Sequence, residues 1–253
     1  MSAVHLPVYI ENASYRIERL VPELASGRAD WRQVQSLCTW FRQRGVCSLL
    51  LDADPHALYR NLMQSAAAFL HHLSACDEDG KVTSQAKPLF DALGGGYLDA
   101  ARSIARASRR AWNRNKEYED DFLYIYLLNG LLIDPEAADL APTLARLEVA
   151  AKGKEPTRLA LCQALLARDV QAFDDALAQN LAERVDIIEG MVERGTLSAE
   201  LATWMRHFAG EGFALVRLAE ALGMQLPTQY LHVPSAARPL SPLAFDPGCW
   251  RRA

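Results

Sequence analysis

Strand-like alternation of apolar and polar residues is nearly missing from this sequence, and only VCSLLL at 46–51 reads as a candidate strand. No apolar run reaches membrane-spanning length: the longest, Phe122 to Ile133, covers about 12 residues, includes Asn129 and Gly130, and falls well short of the roughly 20 that a bilayer requires. The opening MSAVHLPVYIENASYR has no basic stretch followed by an apolar one, so no secretory signal is expected, and the chain reads as soluble and cytoplasmic with no membrane partner. The five cysteines (Cys38, Cys47, Cys76, Cys162, Cys249) stand singly, with no C-x-x-C and no histidine at ligand spacing. That pattern predicts buried thiols in a reducing compartment.

Signatures of catalysis are lacking too. A helical metal site usually carries Glu-x-x-His or His-Glu-x-x-His, because those spacings aim two ligands from one face. None of the six histidines (His5, His56, His71, His72, His207, His232) follows a glutamate by three positions, and no two are four apart. On a helix His71 and His72 point about 100° apart. There is no Gly-x-Ser-x-Gly elbow and no Walker loop. Gly94-Gly95-Gly96 follows no strand and precedes no Gly-Lys, so it reads as a helix–helix turn rather than a phosphate cradle. The expectation is a non-enzyme with no catalytic residues, no metal and no cofactor. Basic charge is not in excess either: 27 Lys and Arg against 31 Asp and Glu give a net charge of −4, unlike a general nucleic-acid binder.

What the sequence does have is length and helical periodicity. Its 253 residues, half of them apolar, can bury one large core. Asp30 caps a predicted helix that runs to about Arg44 and stops at Gly45, with Trp31, Val34, Leu37, Cys38 and Phe41 on one face. Asp54-Pro55 opens a second, with the stripe Leu58, Leu62, Ala66, Phe69 and Leu73. Each should bury one face only. Further helices are predicted at about 84–93, 97–112, 116–133, 142–151, 156–167 and 170–193, and a last long one runs from its cap at Ser198 to Leu222. Asn113 and Asn115 are the candidate caps for the helix at 116–133. Short connections imply antiparallel neighbours. The expected architecture is all-α: one domain over 1–224 of about ten packed helices, arranged as helical hairpins. A tail at 225–253, holding Pro227, Pro234, Pro239, Pro242 and Pro247, should wrap the surface in extended segments.

Charge is clustered in three places. Residues 102–116 carry Arg102, Arg106, Arg109, Arg110, Arg114 and Lys116 and no acid, with Trp112 the one interleaved aromatic. The block Glu117, Glu119, Asp120 and Asp121 follows directly and should cancel most of that field, so direct nucleic-acid binding is not expected. Four carboxylates at a helix start are stabilised by the macrodipole by about 0.3–1 kcal/mol each. Because Asp120 and Asp121 head stripes that become core, they need partners, and Arg106, Arg109 and Arg110 are the predicted ones. An alternative gathers Glu117, Asp120 and Asp121 around a divalent metal in a helical hydrolase. The third cluster, Asp169 to Glu200, holds eight acids (Asp169, Asp174, Asp175, Glu183, Asp186, Glu189, Glu193, Glu200) against Arg184 and Arg194. It reads either as a solvated face or as a docking face for a basic protein, built chiefly from Asp169, Asp174, Asp175, Asp186, Glu189 and Glu193.

Three stretches together, EYEDDFLYIYLLNGLL (117–132), DADPHALYRNLMQSAAAFL (52–70) and LATWMRHFAGEGFALVRLAEALGMQLPTQYLHVP (201–234), resemble the immunity protein 49 family of bacterial polymorphic-toxin systems, which includes contact-dependent and type VI secretion immunity proteins. The resemblance covers roughly residues 50–235. It implies an all-helical inhibitor without catalysis, which binds a cognate toxin encoded by a neighbouring gene and so protects the cell during interbacterial competition. Protection in the cytoplasm would imply a toxin acting there, most often a nuclease, whose basic cleft an acidic face could plug. A helical scaffold or adaptor without toxin linkage is the other reading.

Overall fold

In the computed structural model, which describes residues 5–136, 139–227, 229–239 and 243–252, Leu6, Ala13, Ile17 and Leu24 form the buried stripe of a first helix, α1 (Leu6–Ala25), that the sequence reading passes over. Its apolar spacing of seven, four and seven is helical, but Pro7 in the first turn and Pro22 near the end obscure it. Asp30 then caps α2 (Trp31–Asp52) as expected. Its carboxylate accepts from the Gln33 amide, and the Gln33 side chain accepts from the Asp30 N–H, both at 2.8 Å.

Gly45 does not end this helix, and VCSLLL is not a strand: both lie within α2. A Cβ on Gly45 would stand 2.8 Å from Asn61 Cβ and 3.3 Å from the Leu58 backbone. Asn61 and Leu58 belong to α3 (Pro55–Ala75), which starts at the predicted Asp54 cap. The glycine is therefore where two helices touch.

The expectation that α2 and α3 bury one face each also fails. The polar run Arg42-Gln43-Arg44 would make a solvent face, yet Arg42 and Gln43 are buried and all three side chains reach different neighbours. Arg42 spans to Asp91, Gln43 donates to Glu200 Oε1 (2.7 Å) and to the Tyr9 carbonyl (3.2 Å), and Arg44 donates to Asn61 (2.7 Å) and Gln64 (2.9 Å). Successive residues point about 100° apart, so three in a row reach three sides of the helix.

The remaining helices are α4 (Lys87–Gly94), α5 (Leu98–Ala107), α6 (Glu119–Ile133), α7 (Ala141–Ala151), α8 (Pro156–Ala167), α9 (Val170–Glu193), α10 (Ala199–Met205) and α11 (Gly210–Ala221). The described residues form no named strand and one isolated bridge, Tyr230 to Val233, so the all-α expectation holds. Ser198 caps α10, accepting from the Leu201 amide, but the predicted last long helix is broken at 206–209. Neither Asn113 nor Asn115 caps α6, whose N-cap position is Tyr118. Sequential neighbours pack as hairpins through α1, α2 and α3 and again through α6, α7, α8 and α9, whereas α11 returns to lie along α4. A Cβ on Gly94 would stand 2.9 Å from the Phe213 ring of α11, and Gly96 has φ +78°. The amides of Gly95, Gly96 and Tyr97 are taken by the carbonyls of Asp91, Leu93 and Ala92, which leaves them unavailable to cradle an anion.

The tail is anchored more deeply than expected. Most of its described residues are exposed or half-buried, but four side chains enter the core. Val233, Ala237, Cys249 and Trp250 are buried, and short 3-10 turns form at Ser235–Ala237 and Cys249–Arg252. The Tyr59 hydroxyl donates to the carbonyls of Ala237 (3.0 Å) and Pro239 (2.7 Å), and Arg217 reaches the same two oxygens at 3.2 and 2.9 Å. Trp250 is 1 % exposed and sits 5.0 Å from the His71 ring. Proline withholds N–H groups, but its carbonyls remain acceptors, and buried side chains use them here. Pro242 lies outside the described residues.

Because Gly45 sits where α2 meets α3, Gly45→Ala should destabilise the fold by about 1–3 kcal/mol through overpacking, although alanine is the better helix former by about 0.8–1 kcal/mol. Chemical denaturation measures the difference, and a gain in stability would contradict the close approach.

Candidate functional site

The acid block at the start of α6 is the natural place to look for a site. Glu117 precedes the helix and is buried: its Oε2 accepts from the Ser84 amide at 2.8 Å, and its carbonyl accepts from Trp112 Nε1 at 3.0 Å. Glu119, Asp120 and Asp121 form the first turn of α6, where the helix N-terminus favours negative charge.

Their arginine partners are not the predicted ones. Arg146 of α7 pairs with Glu119 (2.5 Å), and Arg158 of α8 reaches Asp121 (3.2 Å), Glu155 (2.5 Å) and Glu211 of α11 (3.4 Å). Asp120 makes no ion pair among the described residues, while Tyr124 and Arg158 line the same small depression. Arg106 and Arg110 are exposed, and Arg109 turns away to Asp79 (3.0 Å) and the Glu78 carbonyl (2.8 Å). The bends after α5 carry Arg109 and Arg110 off the stripe that a continuous helix would have presented, while Arg106 stays in the last turn of α5 and faces solvent.

Arg158 is the hub of this region. Its guanidinium lies 4.9 Å from the centre of the Tyr124 ring, and the Tyr124 hydroxyl donates to Glu211 at 2.8 Å. Burial opposes the Arg158 charge, but Glu211 and the acids around it hold its pKa above the ordinary value. Burial, reinforced by Glu211, pushes the Tyr124 phenol well up, and burial raises the Cys162 thiol to about 12. Glu117, Asp120 and Asp121 do not converge, and no cluster of three or more His, Cys, Asp or Glu positioned for a metal occurs among the described residues. All five cysteines are free, four of them buried.

The acidic segment divides differently. Asp169 caps α9, accepting from the Ala172 amide at 3.0 Å. Glu189 is clamped by Nε and Nη2 of Arg206, each at 2.7 Å, and Asp174 lies beside the Tyr230 hydroxyl. Glu183 accepts from Thr157 (2.9 Å), and Glu200 is held by Gln43. Asp175, Asp186 and Glu193 remain exposed, and their helical angles agree to within about 20°. They form one stripe along α9, and Ile187, about 100° round the helix from Asp186, is 59 % exposed. Of the six predicted docking acids, these three share that exposed stripe, where Asp175 also accepts from the Gln171 amide group at 3.0 Å.

Between residues 110–112, α6 and α7 the structure places a groove the sequence reading did not find. It has a volume of about 470 Å³ and is lined by Arg110, Trp112, Phe122, Tyr126, Pro142 and Arg146, among others. The Phe122 and Tyr126 rings stack at 5.5 Å, and the Arg146 guanidinium lies 6.0 Å from the Trp112 ring. The signal was present in the sequence as Trp112 inside a basic run, but nothing local showed that α6 and α7 would complete its walls. No helix among the described residues is long and apolar enough to cross a membrane.

Comparison with known proteins found no matching family model, no matching curated protein and no matching solved structure.

Two predictions follow from this geometry. Asp120→Ala should change stability by no more than about 0.5 kcal/mol, and Asp121→Ala by about 0.2–1 kcal/mol because Arg158 keeps two other acids. Arg158→Ala should cost about 1–3 kcal/mol, since it leaves the half-buried Glu211 without its cation; denaturant melts of the three variants would test that order. The second concerns pH. Burial, more than any neighbouring charge, holds the pKa values of His71, His72, His207 and His232 below their ordinary 6.5 in the folded state. The unfolded chain therefore takes up protons first, so stability is full above about pH 6.5 and falls as pH drops towards the lowered folded values. The melting temperature should be lower at pH 5.5 than at 7.5, and the difference should shrink in His207→Gln/His232→Asn; asparagine suits residue 232, where φ is +57°.

Proposed function

We propose that this protein is a cytoplasmic immunity-type inhibitor that binds a cognate antibacterial toxin directly and neutralises it. The observation that carries the reading is the α9 stripe of Asp175, Asp186 and Glu193, exposed on a helix whose other face is packed, with the exposed Ile187 about 100° round from Asp186. The resemblance of residues 50–235 to the immunity protein 49 family supports it. A rigid helix presenting aligned carboxylates beside an apolar side chain suits a basic cleft such as that of a nuclease: the charges raise the on-rate, and the apolar contact slows dissociation. Neighbouring acids already engaged by Thr157 and Arg206 hold α9 against α8 and the end of α10, so docking requires little ordering of the surface.

Co-expression with the product of the adjacent gene tests this. The wild-type protein should restore growth and co-purify with that product. Asp175→Lys/Asp186→Lys/Glu193→Lys should fold normally, weaken binding by at least about tenfold, and remove most of the salt dependence of association. Lack of protection by the wild type, or full protection by the triple variant, would contradict the proposal.

A further inference from the structure

The basic run at 102–116 was expected to be cancelled by the acids that follow it. The structure diverts those acids elsewhere: Glu117 to Ser84, Glu119 to Arg146 and Asp121 to Arg158. Arg102 pairs with Asp99, and Arg109 and Lys116 engage Asp79. Arg106, Arg110 and Arg114 are left exposed, with no ion pair or hydrogen bond to any described residue.

Arg110 stands on the rim of the groove whose wall is Trp112, Phe122 and Tyr126. These rings are preorganised. Trp112 is tied by its indole N–H to the Glu117 carbonyl (3.0 Å), Phe122 and Tyr126 stack on one face of α6, and Glu119 holds Arg146 in place over Trp112. Around the Glu119–Arg146 bridge lie the two most exposed large apolar side chains described, Tyr118 at 78 % and Val149 at 74 %. Trp, Tyr and Arg side chains held rigid around an open depression are the composition of protein-interface hot spots. An enclosed small-molecule site would instead bury most of its ligand.

We propose that this groove is a second docking surface, which receives an acidic segment of a partner protein carrying an aromatic or aliphatic anchor. The anchor lies against Trp112 and Tyr126, and a carboxylate pairs with Arg110, whose guanidinium is free to bind it in a forked geometry. Charge complementarity sets the sign of the occupant, because the nearest acid, Glu119, is already spent on Arg146. A nucleic-acid strand fits less well, since it needs a track of cations, and the walls here offer one free arginine among rings, Pro142 and Leu123. The site is independent of the α9 stripe and of the toxin reading.

The test is binding of the full-length protein to an array of short synthetic peptides of acidic, basic and neutral composition, with and without a Trp, Phe or Leu, alongside a short oligothymidylate. Acidic peptides with an apolar anchor should be retained at least about tenfold better than their basic counterparts. Arg110→Glu should abolish that preference while leaving the melting temperature and toxin protection unchanged; Asp175→Lys/Asp186→Lys/Glu193→Lys should leave peptide binding unchanged. The proposal is overturned by retention indifferent to charge, by no retention of acidic peptides, by tighter binding of the oligonucleotide, by unaltered binding in Arg110→Glu, or by a concentration-dependent self-association that Arg110→Glu abolishes, which would make a second copy the occupant.

Discussion

The arrangement of the helices depends on one buried ion pair. Arg42 of α2 grips Asp91 of α4 through two hydrogen bonds of 2.6 Å, and Ser65 of α3 donates its hydroxyl to the same carboxylate. Both charged side chains are almost completely removed from solvent, at 8 % and 2 % exposure. Burial works against the guanidinium, and Asp91 outweighs it, holding the Arg42 pKa above its ordinary value. Such a pair is a weak source of net stability, because desolvation offsets most of the Coulomb gain, but losing either partner strands a buried charge at a cost of about 3–5 kcal/mol. Its consequence is selection among packings: α2, α3 and α4 satisfy these groups together in one mutual arrangement, and α11 then lies along α4.

The same arrangement governs the surface. With α4 pinned, α11 brings Glu211 to Tyr124 and Arg158, and this joins α6 and α8. Arg158 takes Asp121, Arg146 takes Glu119, and the arginines of the 102–116 run pair with none of the acids at 117–121. The exposed cations and the aromatic groove are thus a by-product of how the interior charges are paired. On the opposite electrostatic side, α9 spends Glu189 on Arg206 and Glu183 on Thr157 and leaves three aligned acids outside. The molecule therefore presents two surfaces of opposite sign on one rigid body.

The sequence reading located α3, α7, α8 and α9 to within one or two residues, because their stops and caps are local: Asp54-Pro55, Pro156, and the Asp169 side chain bound to the Ala172 amide. It failed where a residue had two meanings. Gly45 reads as a helix stop but marks a helix contact, and α2, expected to bury one face only, also turns Arg42 and Gln43 inward to polar partners. The prolines of the tail read as surface wrapping, while the tail's carbonyls serve Tyr59 and Arg217 in the interior.

By itself, then, the sequence determined the helical class, the capped helices and the scarcity of catalytic motifs, all of which rest on periodicity and on hydrogen bonds between residues a few positions apart. Only the tertiary structure decided which charges pair, which three acids on α9 remain exposed, and that Trp112, Phe122 and Tyr126 share a groove with Arg110. Coulomb attraction and desolvation depend on distance and burial in space, and Arg158 meets Glu211 across 53 positions of sequence. No local pattern encodes that meeting, so the candidate site became legible only when the helices were packed.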